Sequence, residues 1–246
     1  MVKRLAQADG LSWLTMRPIA HRGLHDMAAA DPQEPENTLA AFRAAIETGY
    51  AIECDLQISA DGVPVVFHDD TLDRLTGESG PVRSRTAAEL AKIAILKSGE
   101  TIPALPDMLA QVAGAVPLVI ELKSITGENG SFAQAVADDL RDYAGPVAVM
   151  SFDAELAAQV MAAAPGLPVG LVAEGGLSTT IRHLTAIIRH NFHFVSYSLT
   201  DLPTPAPLIA CWILGLPLIC WTVRTPQDAA KAGRWTGQMT FEIIRP

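Results

Sequence analysis

The sequence is poor in cysteine, poor in aromatic residues (6%) and has no excess of positive charge. Its three cysteines, Cys54, Cys211 and Cys220, are an odd number at no metal-like spacing. That argues against a disulfide framework and for a reducing, cytoplasmic setting. Lysine and arginine number 18 against 27 aspartates and glutamates, a formal net charge of −9 with no long run of one sign. A protein that grips nucleic acid through its phosphates normally shows a basic face, so that class does not fit. An anionic substrate would have to meet local positive charge, from a few arginines and lysines or from a metal. The first residues, "MVKRLAQADGLSWLTM" (1–16), have no continuous apolar stretch and do not read as a signal peptide. One apolar run, "APLIACWILGLPLICWTV" (206–223), approaches bilayer-spanning length, but Gly215 and Pro217 break it. It reads as a buried helix, a turn and a buried strand, with no transmembrane segment.

What the chain does have is apolar residues in short runs. They make up 49% of its 246 residues, enough for a large core in one unit over 1–246. Eight runs are candidate strands: "PIAHRG" (18–23), "YAIECDL" (50–56), "PLVIELK" (117–123), "PVAVMSF" (146–152), "PVGLVA" (168–173), "HFVSYS" (193–198), "PLICWTV" (217–223) and "QMTFEI" (238–243). Several are almost continuously hydrophobic, as parallel strands covered on both faces are. Helical patterns separate them. "TLAAFRAAIETG" (38–49) stops at Gly49, and "DAELAAQVMAAAPG" (153–166) opens on an Asp cap and closes at Pro-Gly. The repetition predicts an α/β fold, a (β/α)8 TIM barrel, with a doubly wound open sheet as the competing architecture.

One interval breaks the alternation. A parallel crossover needs a dozen or more residues, and "SADGVP" is far too short. "DLQIS" and "VPVVFHD" are therefore expected to pair as an antiparallel hairpin about Asp61-Gly62. A small insertion lobe then follows the second strand, at about 56–102, with "TAAELAKI" as a short helix, before "ALPDMLAQVAG" (104–114) resumes the rhythm.

The polar residues at the strand ends carry the chemistry. Glu53 and Asp55 share one face of their strand and Cys54 takes the other. Two carboxylates at the top of a barrel repel and desolvate each other unless a cation joins them, and a hard divalent ion is the natural partner. The next barrel strand ends with Glu121, a third carboxylate, and Lys123. Each acid alone would read as a strand-end salt bridge or helix cap; three on adjacent strands read as a metal site. His21 and His68 stand at two strand mouths around the cluster. A lone histidine is usually a hydrogen-bonded structural residue, but a pair can take and give a proton near neutral pH, as phosphodiester hydrolysis requires. Arg22 and Lys123 would neutralise phosphate oxygens. In "ENT" (36–38), Asn37 or Thr38 suits a helix cap, and Glu36 could instead orient a histidine or arginine.

Six motifs in order, "HRG" (21–23), "PENT" (35–38), "ECD" (53–55), "DGVPVVFHD" (61–69), "ELK" (121–123) and "WTV" (221–223), resemble the series found in glycerophosphodiester phosphodiesterases, over nearly the whole chain. The resemblance implies a barrel with a small lobe after the second strand. It implies Ca2+ or Mg2+ at Glu53, Asp55 and Glu121, and His21 and His68 as general acid and base. Arg22 and Lys123 would contact phosphate, and Trp221 would line the pocket. The implied reaction is hydrolysis of a small-molecule glycerophosphodiester to an alcohol and sn-glycerol 3-phosphate, in glycerol and lipid metabolism. A homo-oligomer is compatible with this.

Three features depart from the family pattern. Arg224 stands where Asn is frequent. The last strand ends in "TFEIIRP", with Glu242 where an Asp near a Pro is common. The loop 24–34 is long. These are expected at the pocket rim or barrel end, affecting the alcohol portion of the substrate; His25 in the loop reads as exposed. The rival readings are a lysophospholipase D acting on lysophospholipids, and a non-catalytic barrel homologue.

Overall fold

Eight parallel strands close into a barrel in the computed structural model of this chain, which describes residues 10–124 and 129–246. The signal-peptide reading of 1–16 falls mostly outside the described residues. The strands are β1 (Ile19–Ala20), β2 (Ala51–Ile58), β3 (Pro64–Val66), β4 (Leu118–Leu122), β5 (Val147–Ser151), β6 (Val169–Ala173), β7 (Phe194–Ser198), β8 (Leu218–Val223) and β9 (Gln238–Phe241). Their order is β1-β9-β8-β7-β6-β5-β4-β2-β3, and a parallel pairing of β1 with β2 closes the ring. The open-sheet alternative is therefore excluded. Among the strands of the described residues β3 is the antiparallel one; it lies on β2 in the register Leu56↔Val66, Gln57↔Val65, Ile58↔Pro64.

The helices are α1 (Leu39–Thr48), α2 (Ala87–Leu90), α3 (Leu105–Val112), α4 (Asn129–Leu140), α5 (Ala154–Ala163), α6 (Thr180–His190), α7 (Pro205–Leu208) and α8 (Pro226–Trp235). Their ends follow local chemistry. The Thr38 hydroxyl accepts from Ala41 N, and Gly49 closes α1 in the left-handed region at φ 77°. The Asp153 carboxylate accepts from Glu155 N and Leu156 N to start α5.

Alternation along each strand divides the core in two. Ile19, Ala51, Val119, Ala148, Met150, Val172, Phe194 and Ile219 fill the barrel interior, with Leu14 packed among them. Ile52, Cys54, Leu56, Ile120, Val149 and Val195 face outward into the layer shared with the helices. Inward positions at the C-terminal ends of the strands lie above this apolar layer and open onto the barrel mouth. After β2 the hairpin leaves the barrel, and Val65, Phe67, Leu72, Leu75, Val82, Leu90, Ile95 and Ile102 form a separate apolar cluster there.

The run 206–223 folds differently from its sequence reading. Its second half is strand β8, as expected. Its first half is the end of α7 followed by a wide helical turn, Ile209–Ile213, and it is not wholly buried: Trp212 is 64% exposed and Ile213 75%. A helix on the outer ring buries one stripe only. Among the described residues no helix is long and apolar enough to cross a membrane.

Candidate active site

β2 brings Glu53 and Asp55 inward, and β4, parallel to it, sets Glu121 directly beside Asp55. All three are buried, and one oxygen of each lies within 4.8 Å of the others. Lys123 follows β4; its Nζ donates to Asp55 Oδ1 at 2.8 Å and to Glu121. Arg22 approaches from β1. Its backbone N–H donates to Glu53 Oε2 at 2.9 Å, and its Nε lies 3.3 Å from Asp55 Oδ2. Asn37 donates from Nδ2 to Asp55 Oδ2 at 2.9 Å.

Crowded buried charge divides unevenly. Burial and the neighbouring Asp55 and Glu121 push Glu53 well above the ordinary carboxylate range. Burial, then Asp55, raises Glu121 to about 7. Asp55 is driven up by burial, but Lys123 and Arg22 outweigh this and hold it low. Two protein cations are thus insufficient for three acids. Glu53 Oε1 is buried with no hydrogen-bond partner among the described residues. An unpaired carboxylate oxygen beside two convergent ones fits the hard-oxygen donor set of a divalent cation.

The two histidines line the same cavity as this cluster. His21 is anchored at the end of β1 by its backbone N–H, which donates to Phe241 O at 3.0 Å. Its Nδ1 meets Glu242, and its Nε2 lies 3.8 Å from Glu53 Oε2. His68 arrives on the returning arm of the hairpin, with Nδ1 2.6 Å from Asp69 Oδ1. Burial lowers its pKa, against the pull of Asp55 and Asp69. Arg74 of the lobe grips Asp69 with Nε at 2.5 Å and Glu36 with Nη2 at 2.7 Å; Glu36 also accepts from Arg22 Nη1 at 2.7 Å. Glu36 therefore orients arginines, and the cap of α1 falls to Thr38.

His21, Arg22, Glu53, Asp55, His68, Glu121, Lys123 and Trp221 all line one cavity of about 150 Å3, together with Met150, Phe152, Arg224 and Thr240. Phe152 stands edge-on to Trp221 with ring centroids 5.5 Å apart. Glu36 and Asn37 lie behind this wall. A larger groove of about 520 Å3 lies elsewhere, lined mainly by residues preceding β5 and β6, and among the described residues lining it Arg141 is the one that is charged. It has no acid–base pair.

Three polar residues were not read from the sequence as part of the site. Asp69 and Arg74 back His68. The sequence places Glu242 at the pocket rim or barrel end without a partner; in the structure it touches His21. His25 is half-buried rather than exposed: its Nδ1 accepts from Met27 N at 3.3 Å, and its Nε2 is enclosed.

Residues 21–237 match the model of the glycerophosphoryl diester phosphodiesterase family. The chain belongs to this family. A glycerophosphodiester phosphodiesterase of Caldanaerobacter subterraneus subsp. tengcongensis is 31% identical over 223 residues, which cover 87% of this chain and 88% of the relative. Among solved structures, a phosphodiesterase of Oleispira antarctica in complex with the product sn-glycerol-3-phosphate matches with a TM-score of 0.79 at 23% identity, covering 93% of this chain and 94% of that one. A glycerophosphodiester phosphodiesterase of Thermotoga maritima matches with a TM-score of 0.73 at 24% identity, covering 91% and 92%. The family's barrel is thus the fold seen here.

Proposed function

We propose that this protein hydrolyses glycerophosphodiesters to an alcohol and sn-glycerol 3-phosphate. The observation that carries this reading is the convergence on one small cavity of three buried acids and two imidazoles, each imidazole backed at Nδ1 by a carboxylate. Family membership and the product held by the Oleispira relative support it.

Glu53, Asp55 and Glu121 would hold a divalent ion, Ca2+ or Mg2+, which when bound supplies Lewis-acid stabilisation of charge on the phosphate. The side chains of the chain do the rest. Arg22 and Lys123 set positive charge against the non-bridging oxygens. One histidine accepts the proton of the attacking hydroxyl as the new P–O bond forms. The other protonates the departing alkoxide as the old bond breaks. Attack by the glycerol 2-hydroxyl leaves a cyclic phosphate that water opens; direct attack by water leaves none. Trapping a cyclic phosphate in quenched reactions identifies the first route.

The cavity, about 150 Å3, suits a compact water-soluble glycerophosphodiester better than a lysophospholipid, a phosphodiester that also carries a long acyl chain. The free thiols of Cys54, Cys211 and Cys220 support a cytoplasmic setting. The test is a panel of glycerophosphodiesters, with lysophosphatidylcholine beside glycerophosphocholine, and direct identification of the phosphate product. Glycerol 3-phosphate from the water-soluble diesters supports the reading. Release from the lysolipid alone would replace it with a lysophospholipase D, and no turnover of any substrate would leave a non-catalytic barrel.

A further inference from the structure

Glu242 follows the last residue of β9 and sits where three strand ends meet. Its backbone N–H donates to Val223 O at the end of β8, at 2.9 Å, while Phe241 O accepts from His21 N at the end of β1. The side chain turns inward and is 13% exposed. Its two oxygens are divided. Oε1 meets Nδ1 of His21, and Oε2 accepts from Arg224 Nε at 2.7 Å.

The backbone just beyond is unusual. Ile243 has φ 67°, and Ile244 N donates to Glu242 O at 2.6 Å, closing a three-residue turn. A positive φ is unfavourable for a β-branched residue, and this turn type is rare. The Ile243 side chain is 60% exposed, so its packing does not explain the conformation. The strand therefore stops abruptly after Glu242, and strain of this kind gathers where a structure fixes functional groups.

We infer that Glu242 is the positioning residue of His21, fixing the tautomer with the proton on Nδ1 so that the Nε2 lone pair faces the cavity, and that Arg224 holds Glu242 for this task. The inference rests on the reading of His21 as a proton-transfer group. A neutral imidazole carries one N–H, and the partner of one nitrogen decides the state of the other. A carboxylate can only accept, so Nδ1 must donate. Nε2 is the nitrogen directed at Glu53 and the acid cluster, where the substrate's phosphate would lie. The other carboxylates of the cluster bind Arg22, Lys123 and each other's neighbours, leaving Glu242 as the carboxylate in contact with Nδ1. Arg224 and Glu242 touch each other, so with His21 they form one hydrogen-bonded unit beside the cavity.

The test combines turnover with the side-chain 15N spectrum of His21, recorded at a pH where the ring is neutral. In wild type the Nδ1–H tautomer is expected. Glu242→Met should lower kcat by about 10–100-fold, the range for lost orienting partners of histidine. KM should stay within about twofold, as for an interaction expressed in the transition state, and the ring should shift toward Nε2–H. Arg224→Met should lower kcat in the same direction but by less, with Nδ1–H retained. Wild-type kcat in Glu242→Met, or a kcat loss with the Nδ1–H tautomer undisturbed, overturns the inference. Should Glu242→Met fail to fold, Glu242→Gln keeps an oxygen acceptor without the charge. Nδ1–H retained with kcat close to wild type then supports the inference; lowered kcat with Nδ1–H undisturbed, or undiminished kcat with the ring shifted to Nε2–H, overturns it. If the wild type turns over no glycerophosphodiester, the function fails on its own terms, while the spectrum still decides whether Glu242 sets the tautomer.

Discussion

Asn37 holds Asp55 twice: its Nδ2 donates to Asp55 Oδ2 at 2.9 Å, and its Oδ1 accepts from Asp55 N at 3.1 Å. Asn37 itself has φ 59°, a conformation asparagine tolerates better than most residues. The pair fixes the Asp55 carboxylate with Oδ1 toward Lys123. Asn37→Ala should therefore weaken ion binding by about 10–100-fold, as loss of a ligand's orienting partner does. Excess ion should restore much of the rate. Calorimetric titration with Mg2+ and Ca2+ measures the first effect and an ion titration of activity the second. Unchanged affinity would show that Asp55 needs no such support.

The imidazoles should be individually indispensable. His21→Ala and His68→Ala are each expected to lose at least ~10²-fold in kcat, the scale of a positioned acid or base. Steady-state rates at saturating ion and substrate decide this. A variant with near-wild-type turnover removes that histidine from the proton-transfer pair.

Gly23 sets the turn that aims His21 and Arg22. It has φ 81°, and a Cβ there would lie 2.9 Å from both Ala41 Cβ and Phe42 Cδ1. Gly23→Ala combines backbone strain with overlap against α1, and should cost about 1–3 kcal/mol of stability. The shift in urea midpoint gives the value. A midpoint equal to wild type would mean the turn relaxes at no cost.

Ion binding should expel protons. Without an ion Glu121 is raised to about 7, and Glu53 is raised as well, so at pH 6 the cluster carries protons that an ion must displace. Apparent affinity should rise with pH through about 7 as Glu121 ionises. Calorimetry at pH 6 in buffers of different ionisation enthalpy should show proton release, smaller at pH 9; equal release at both would contradict the assignment. The sign for folding is opposite. The ion-free folded form keeps the Glu121 proton that the unfolded chain loses above its ordinary value of 4.5, so this group's stabilising contribution falls between pH 4.5 and about 7.

The barrel was legible because parallel strands buried on both faces become short apolar runs, and all eight runs recur as β1, β2 and β4 to β9. The hairpin was legible from a connection too short to cross over, with Gly62 at φ 80° in its turn. The acids and histidines were legible because strand alternation fixes which side chains share a face. Glu242 was not, since it meets His21 across 221 residues of sequence and only ring closure brings β9 beside β1. Arg74 was hidden for a related reason: it lies in the lobe, whose return over the barrel mouth no periodicity records. Trp212 and Ile213 misled because composition gives the hydrophobicity of a helix but not the side its ring neighbours leave open.

The most direct test of the account is the rate of glycerol 3-phosphate release from a glycerophosphodiester by purified protein, before and after chelation and after return of Mg2+ or Ca2+. The account predicts loss of turnover on chelation and recovery when the ion is restored. Turnover unaffected by complete ion removal would contradict the role given to Glu53, Asp55 and Glu121.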